Sequence, residues 1–344
     1  MTARKEEKTV LEVRDDKITV GIIGASGYTG LELLKLVHNH PVFELCYVAN
    51  SEGGTTVAQL HPPFDGVIDM AVEVATAQRA NEMDLVFLAL PHKTAFSFAK
   101  DLKCKVVDLS ADYRLKLETY EKHYCTHGDS QNLQNYVYGL VEHYKKPLQT
   151  TQNVAVPGCY PTATLLALLP FCEWIDEASP IIVDAKSGVS GAGKKCSEKT
   201  HFCKDNENSF AYAPLTHRHT PEIAEKFGCE IDRVNFVPQI IPVTRGMMAN
   251  VYIQISKEVD VQKVLREFYK DDKFVRVKEE PVELKNVVGT HFCDIYAQRN
   301  GNTVFLNSAI DNLLRGASSQ ALACANIICG LDENMGLPDI AYVP

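Results

Sequence analysis

Cys159 is the residue of this sequence best suited to nucleophilic chemistry. It stands in VAVPGCYPTATLLALLP, between an apolar strand and an apolar helical run, directly after Pro157 and Gly158. A cysteine in the first turn of a helix lies at the positive end of the helix dipole, which favours thiolate over thiol. The pattern predicts a thiolate at neutral pH that attacks an activated acyl group, which a nicotinamide cofactor then reduces. The alternative is a small buried hydrophobic side chain, the commonest role of cysteine.

Acid and base groups are concentrated in the segment LTHRHTPEI. His217 and His219 flank Arg218 there, and Glu222 follows. We expect one histidine to take the thiol proton and Glu222 to fix the tautomer of that histidine. The TPE sequence is also typical of a helix start, with Thr220 as the N-cap. The HxH spacing suits a pair of metal ligands, but no third ligand is near in sequence, so we predict no metal site.

Three arginines are placed to bind an anionic substrate: Arg114 in LSADYRL, Arg218 in HRH and Arg245 in IPVTRG. Each stands next to small or rigid residues that would hold a guanidinium group in place. For Arg114 and Arg245, a surface ion pair is the alternative.

A glycine-rich turn near the start of the chain predicts a dinucleotide site. Gly24, Gly27 and Gly30 are spaced GxxGxxG, after a β-branched strand and before a helical segment. This spacing allows a tight turn and a close approach of the backbone to a pyrophosphate at a helix N-terminus. A glycine turn that only packs is the alternative.

The residues after the second predicted strand bear on the choice of cofactor. In ANSEGG, Asn50 and Ser51 leave room for the 2′-phosphate of NADP, whereas Glu52 could bind the ribose of NAD. We therefore predict NADP, with NADPH as the reductant, and NAD as the less favoured cofactor.

Two further groups of loop residues are candidates for ligand contacts. The loop DAKSGVSGAGK, which contains Ser187 and Gly188, has the composition of a loop that wraps a phosphate or an active site. Ligands of parallel sheets gather at the carboxyl ends of the strands. The polar or rigid residues that follow predicted strands are Pro91, His92, Ser110 and Asp112.

The order of predicted elements indicates an α/β fold that positions these residues. Apolar runs at 18–23, 44–49, 85–90 and 105–109 alternate with helix-compatible segments, as in a parallel, doubly wound Rossmann sheet. Strands at 181–185 and 251–255, with a hairpin in DIYAQRNGNTVFLNSAI, indicate a second α+β domain with a mixed sheet. An apolar helix within 311–330 is expected to return to the first domain. We predict a Rossmann dinucleotide-binding domain of residues 1–150 and 312–344, and a catalytic and dimerisation domain of 151–311.

Composition excludes several classes of protein. The 344 residues are 45% hydrophobic and 23% charged, with no apolar run that could cross a bilayer, so we expect no membrane association. A net charge of −9 without a basic cluster argues against nucleic-acid binding. Eleven scattered cysteines without CxxC spacing indicate a reducing, cytoplasmic location. The first dozen residues are too polar for a signal peptide and are expected to be disordered or peripheral.

The blocks quoted above make the chain similar to the N-acetyl-γ-glutamyl-phosphate reductases, which are related to the aspartate-semialdehyde dehydrogenases. The resemblance covers nearly the whole chain, and PGCYPT is its most specific block. It also rests on GIIGASGYTGLELLKL, FLALPH, VDLSADYRL, DAKSGVSGAGK, HRHTPEI, VPQIIPVTRGM and NSAIDNLLRGASSQALACANIICGLDENMGL.

The resemblance implies a reaction of arginine biosynthesis. Cys159 would attack the acyl phosphate, phosphate would leave, and hydride from NADPH would reduce the thioester to the semialdehyde. A histidine of the HRH block would be the acid/base, with His217 preferred to His219. The implied cofactor contacts are Ser26, Gly27, Tyr28 and Thr29 around the phosphates and Asn312 near the nicotinamide. A homo-oligomer, dimer or tetramer, is also expected, because apolar strands of the second domain suit one.

Two departures from the family pattern and two rival functions stay open. The family often has an arginine after the second strand, where this chain has Ser51, and its DNLVKG reads DNLLRG here, with Arg315 in place of lysine. An aspartate-semialdehyde dehydrogenase would apply the same chemistry to a shorter acyl phosphate. A non-catalytic sensor of nicotinamide nucleotides would need neither the cysteine nor the histidines.

Overall fold

A computed structural model describes residues 17–342 of the chain. Within this range the strands form two β-sheets. The first sheet contains β1 (Ile18–Ile23), β2 (Phe43–Asn50), β3 (Thr55–Thr56), β4 (Ala71–Val74), β5 (Leu85–Leu88), β6 (Lys105–Asp108), β7 (Tyr136–Tyr138) and β8 (Asn153–Ala155). The second contains β9 (Ile181–Ser187), β10 (Phe210–Ala211), β11 (Val234–Ile240), β12 (Met247–Gln254), β13 (Val275–Val277), β14 (Cys293–Asn300) and β15 (Thr303–Ile310).

The α-helices of the same residues vary from a single turn to three turns. They are α1 (Tyr28–His38), α2 (Val57–Leu60), α3 (Ala77–Ala80), α4 (Ala95–Ala99), α5 (Leu117–His123), α6 (Val141–Leu148), α7 (Cys159–Leu168), α8 (Phe202–Asp205), α9 (Thr220–Phe227), α10 (Val261–Phe268) and α11 (Ser319–Ile328). No helix between residues 17 and 342 is both long and apolar enough to span a membrane.

The first sheet has the order β3-β4-β2-β1-β5-β6-β8-β7, and every pair except β3 with β4 is parallel. The central strand β1 is buried from Val20 to Ile23, because β2 and β5 flank it and helices cover its faces. The chain first builds outward on one side of β1 and then on the other. This reversal opens a crevice at the carboxyl ends of β1 and β5, where parallel sheets bind ligands. The predicted Rossmann sheet is confirmed.

The second sheet is mixed, with the order β10-β11-β9-β12-β15-β14-β13. The predicted hairpin forms β14 and β15, which pair antiparallel from Asp294 with Ala309 to Asn300 with Thr303. The sequence analysis did not identify β11, which pairs in parallel with β9 along its whole length. The prediction of a second α+β domain is confirmed.

Helix α7 lies where the chain crosses from the first sheet to the second. Strand β8 ends at Ala155 in the first sheet, and α7 packs on β12 and β15 of the second. Every residue of α7 after Cys159 is buried, which explains why its sequence is apolar on all sides. Strand β8 thus lies beyond the domain boundary predicted at residue 150.

Helix α11 returns to the first domain, as predicted. It packs against α1, α6 and β6, and its residues from Ser319 to Ile328 are buried. The Ser318 hydroxyl donates to the carbonyl of Thr29 at 3.0 Å, which ties the start of α11 to α1. The expectation for the N-terminal dozen residues lies outside the described residues.

Candidate active site

Cys159 is the first residue of α7, and Gly158 is its N-cap. The amide and the hydroxyl of Thr162 both donate to the Gly158 carbonyl, at 2.9 and 3.0 Å. A Cβ atom on Gly158 would lie 2.5 Å from Nε2 of His219 and 3.0 Å from Nη1 of Arg114. His219 and Arg114 therefore contact the residue that precedes the cysteine, and only glycine fits between them.

A buried carboxylate, Glu222, organises this corner. Its Oε1 accepts from the Gly158 amide at 2.8 Å and from the Tyr138 hydroxyl at 2.7 Å, and its Oε2 pairs with Arg114 at 3.1 Å. None of these partners is a histidine. The prediction that Glu222 fixes a histidine tautomer is therefore wrong: the carboxylate is turned toward Arg114 and the loop before α7.

Arg114 is held on several sides at once. Besides its pair with Glu222, its Nε donates to the carbonyl of Val156 at 2.7 Å and its Nη2 to that of Leu109 at 2.8 Å. Burial lowers the pKa of Arg114, but the charges of Glu222, Tyr124, Tyr138 and Asp108 together outweigh burial, so the net change is upward. The ion pair is a buried one rather than the surface pair weighed above, and it fixes the strand end that leads into Cys159.

The two histidines of the HRH block lie side by side, with ring centroids 4.8 Å apart. Nδ1 of His217 accepts the amide of His219 at 3.1 Å, so neutral His217 carries its proton on Nε2. Nδ1 of His219 has no hydrogen-bond partner in the described part of the chain. Helix α9 begins at Thr220 with His219 at the N-cap, one residue earlier than predicted.

Both histidines are poised as neutral bases. Burial, together with the charge of Arg218, lowers the pKa of His217 to about 4. Burial lowers the pKa of His219 well below its usual value, with further contributions from His217 and Arg114. Each imidazole is therefore uncharged near neutral pH, with a free nitrogen lone pair, and is a weaker base than an exposed histidine.

The Cys159 thiol differs from the sequence-based expectation. Burial raises its pKa to about 11, although the Tyr160 amide and the charge of Arg114 act in the opposite direction. The predicted thiolate at neutral pH is thus wrong, because burial destabilises the thiolate more than the helix start stabilises it. A neighbouring base must take the proton when the cysteine reacts.

The reactivity of Cys159 toward iodoacetamide should therefore rise steeply with pH. In cofactor-free protein we expect about a tenfold increase in rate per pH unit between pH 7 and 9.5, since thiolate is the reactive species. A small free thiol with a pKa of about 8.5 should begin to level off in that range. Mass spectrometry of the Cys159 peptide measures the rate, and a plateau below pH 8 would contradict the raised pKa.

A turn that follows β15 and leads into α11 packs against the cysteine. Residues Leu314–Ser318 form a π-helical turn, and a Cβ atom on Gly316 would lie 2.7 Å from Cβ of Cys159. The preceding residue, Arg315, is buried and pairs with Glu142 of α6 and with His291. These contacts hold Gly316 against Cys159, an arrangement that no pattern in the sequence had indicated.

Changing Gly316 to alanine should reduce turnover strongly while leaving the fold intact. The added methyl group must push Cys159 or the turn by several tenths of an ångström, and a displacement near 1 Å can cost about 10²-fold in rate. Steady-state kinetics with a thermal melt separates the two effects. A Gly316→Ala protein with full activity would show that the turn is free to move away from the cysteine.

Arg245 and Asn312 have polar partners within the protein. Arg245 forms a two-pronged pair with Asp311, at 3.1 Å for each contact, and a 2.7 Å pair with Glu32 of α1. The structure thus gives Arg245 a role in joining the two domains instead of the predicted substrate contact. Asn312 accepts from the Gly246 amide at 2.8 Å and donates to Ser190 at 2.9 Å.

The loop with Ser187 and Gly188 packs beside Asn312. A Cβ atom on Gly191 would lie 2.9 Å from the Ser187 hydroxyl and 3.6 Å from Nδ2 of Asn312. Gly188 is enclosed by the backbone of residues 243–245, which a side chain would meet at 2.8–2.9 Å. The structure therefore brings together two segments that the sequence assigned to the cofactor site.

The glycine turn fits a dinucleotide pyrophosphate. Gly24 has φ +89° and a Cβ atom there would meet the Ala89 carbonyl at 2.3 Å, while one on Gly30 would meet the backbone of Ala25 at 2.7 Å. Gly27 is the N-cap of α1 and faces open space, so the unpaired amides of the first helical turn are accessible to an anion. Tyr28 and Thr29, in that turn, are exposed and half-buried.

The residues after β2 do not include a basic side chain for a 2′-phosphate. Asn50 donates to the Ser26 hydroxyl at 3.1 Å and accepts the amides of Glu52 and Gly53 at 2.9 and 2.7 Å. Ser51 and Glu52 are exposed.

Among the described residues no group of three or more histidine, cysteine or acidic side chains could hold a metal ion.

Some contributors to this site have only a weak signal in the sequence. Tyr138, Glu142 and His291 lack any motif, and their roles depend on partners 84, 173 and 24 residues away. Gly316 is the exception, because it is the last residue of DNLLRG, one of the blocks that resemble the family pattern.

Two family descriptions match the chain. Residues 19–151 match the family described as semialdehyde dehydrogenase, NAD binding domain, and residues 159–312 match semialdehyde dehydrogenase, dimerisation domain. Among solved structures, aspartate semialdehyde dehydrogenase II from Vibrio cholerae aligns with a TM-score of 0.69 at 17% identity, covering 92% of this chain and 99% of that one. The Candida albicans aspartate semialdehyde dehydrogenase with NADP gives 0.67 at 13% identity, covering 93% and 99%. At these identities the likeness concerns the fold.

Relatives of much higher identity share one name. The N-acetyl-gamma-glutamyl-phosphate reductase of Sulfurovum sp. (strain NBC37-1) is 57% identical over 335 residues, which are 95% of this chain and 100% of that protein. The protein of the same name from Wolinella succinogenes is 55% identical over 335 residues, with 95% and 99% covered. Since this similarity covers 95% of the chain and therefore both domains, the chain belongs to the N-acetyl-gamma-glutamyl-phosphate reductase family of oxidoreductases.

Proposed function

We propose that this protein reduces N-acetyl-γ-glutamyl phosphate to N-acetylglutamate semialdehyde, with NADPH as reductant and release of phosphate, in arginine biosynthesis. The observation that carries the proposal is the convergence of Cys159, two neutral histidines and the Arg114–Glu222 pair at the start of α7. The name shared by relatives more than 50% identical over the full chain supports the substrate.

The first half of the reaction forms a thioester. His219, whose Nε2 lies against Gly158, takes the proton of the Cys159 thiol. The sulfur attacks the acyl carbon, and the free amides at the start of α7 stabilise the resulting oxyanion. The bond between acyl carbon and phosphate oxygen then breaks, and the proton held by His219 passes to the departing phosphate. His217 supports its neighbour through the hydrogen bond to the His219 amide.

The second half returns the thiol. NADPH, when bound, would supply the hydride that reduces the thioester carbon. Collapse of the resulting oxyanion breaks the carbon–sulfur bond and releases the semialdehyde, and Cys159 regains a proton from solvent through His219. The tight contact of Gly316 with Cys159 keeps water from one side of the thioester.

The cofactor is held by residues of both domains in this proposal. The Gly24–Gly30 turn and the α1 amides hold the pyrophosphate, with Ser26, Tyr28 and Thr29 beside it. Ser51, small and exposed, leaves room for a 2′-phosphate, which supports NADP over NAD. The loop of Ser187 and Gly188, next to Asn312, encloses the nicotinamide end.

Exposed surfaces and thiols support proposals for the assembly and the location of the protein. The second sheet exposes Ile182 of β9 and Tyr252 of β12, which are paired strands. The ring centroid of Phe305 lies 5.3 Å from that of Tyr252. This apolar face supports a dimer or tetramer. Cysteines spread over the described range, such as Cys46, Cys172 and Cys203, are free thiols, which supports a cytoplasmic location.

The reverse reaction tests the proposal directly. Purified protein is mixed with N-acetylglutamate semialdehyde, inorganic phosphate and NADP, and NADPH absorbance is followed. We expect NADPH to form only when phosphate is present, more slowly with NAD, and far more slowly with aspartate semialdehyde. Preference for aspartate semialdehyde would make the protein an aspartate-semialdehyde dehydrogenase. Nucleotide binding without turnover on either aldehyde would make it a sensor.

A further inference from the structure

Arg218 is a cation next to the candidate active site that has no ion-pair partner in the described part of the chain. Of the three arginines predicted to bind substrate, Arg114 and Arg245 are paired with buried carboxylates, whereas Arg218 is exposed and forms no ion pair within residues 17–342. Its guanidinium lies 5.7 Å from the ring centre of Tyr124, whose hydroxyl donates to the Arg218 carbonyl at 3.3 Å. Tyr120 stacks on Tyr124, with ring centroids 5.0 Å apart, and so supports the ring that Arg218 contacts.

His92, which follows β5, reaches the same tyrosine. Its ring meets Tyr124 edge-on at a centroid distance of 5.9 Å. Nδ1 of His92 accepts the amide of Ala111 at 2.9 Å, so a neutral His92 must carry its proton on Nε2. Burial, followed by the charges of Arg114 and Arg218, lowers the pKa of His92 to about 3. His92 is thus a fixed neutral donor.

The loop that carries His92 is locked in position. Lys93 adopts the left-handed region, with φ +69°, and its amide donates to Asp112 at 2.8 Å. Asp112 is fully buried and also accepts from the Phe96 amide at 3.2 Å and the Tyr120 hydroxyl at 2.8 Å. A strained backbone held by a buried acceptor is typical of a functional position, and here it ties the ends of β5 and β6 together.

We propose that Nε2–H of His92 and the guanidinium of Arg218 form an anion subsite that binds the phosphoryl group of the acyl phosphate, and inorganic phosphate in the reverse reaction. This inference rests on the proposed function. The proton taken from Cys159 must pass from His219 to the departing phosphate, so the phosphate has to lie beside His219. Arg218 directly precedes His219 in the chain, and His92 binds the Ala111 amide in the loop that carries Arg114, which lies against Gly158 as His219 does.

His92→Asn is the sharpest test, because an asparagine oxygen can still accept the Ala111 amide while the Nε2–H donor is lost. In the reverse reaction, the KM for phosphate should rise roughly tenfold or more, as expected for the loss of a hydrogen bond to a charged group. The KM for N-acetylglutamate semialdehyde should stay within about twofold, the resolution of such comparisons. Arg218→Gln, at an exposed position, should show the same split. Lys122→Gln, an exposed charge on α5, serves as the matched control with both values unchanged.

A second readout does not depend on turnover. Inorganic phosphate bound at the subsite should slow the alkylation of Cys159 by iodoacetamide in the native protein, and this protection should require higher phosphate in both variants. A raised KM for the semialdehyde with an unchanged KM for phosphate would overturn the proposal in favour of a carboxylate subsite. Unchanged constants and unchanged protection in both variants would also overturn it. Protection by phosphate in a protein that turns over no aldehyde would support the subsite and contradict the proposed function instead.

Discussion

Changing Cys159 to serine should abolish the phosphate-dependent formation of NADPH. Serine preserves the size and the helix start, but its hydroxyl is far harder to ionise than a thiol, and a neutral histidine nearby cannot compensate for that. We expect the rate to fall on the order of 10⁴-fold or more, as when a covalent nucleophile is removed from other enzymes. The assay is the reverse reaction with N-acetylglutamate semialdehyde, phosphate and NADP.

The control for this variant is Cys172→Ser, an exposed cysteine after α7 that lies outside the site. It should retain the activity and the melting temperature of the original protein. The Cys159→Ser protein should also melt normally, because the substitution changes one atom. Substantial residual turnover in a folded Cys159→Ser protein would rule out the thioester and leave direct hydride transfer to the acyl phosphate.

Removal of the Glu222 carboxylate should have the largest effect on stability. Glu222→Ala would leave Arg114 buried without a counter-charge and would release the Gly158 amide and the Tyr138 hydroxyl. Breaking a buried ion pair by removing one partner costs about 3–5 kcal/mol. Activity should fall as well, because the Gly158 amide positions the residue that precedes Cys159. Urea denaturation gives the change in the free energy of unfolding.

Glu222→Gln is a milder substitution that tests the same prediction. Glutamine keeps an acceptor for the Gly158 amide but not the charge for Arg114, so its destabilisation should fall between those of the original protein and Glu222→Ala. The matched control is Glu267→Gln, which removes an exposed glutamate 3.7 Å from Lys263, and exposed pairs contribute about 0–1 kcal/mol. If Glu222→Ala were no more destabilising than Glu267→Gln, the buried network would not hold this corner together.

The sequence alone determined the local elements. Strand β1, the glycine turn and α1 were predictable because a β-branched run, a glycine spacing and a helical run follow one another directly. The position of Cys159 in the first turn of α7 was likewise readable from PGC followed by an apolar run. Each of these features depends on residues within a few positions of one another, so the chain specifies them before any distant contact forms.

Only the tertiary structure shows which contacts these elements make with one another. Glu222 contacts Arg114 across 108 residues, and no local pattern distinguishes that partner from the adjacent histidines. Arg245 has no acidic neighbour in the sequence, but it forms ion pairs with Asp311 and Glu32 once the domains pack. The pKa of Cys159 depends on how much water the assembled site removes, which outweighs the local effect of the helix start. Desolvation and long-range pairing are properties of the packed chain, and they set the pKa of a cysteine whose position at the start of α7 was readable from the local sequence.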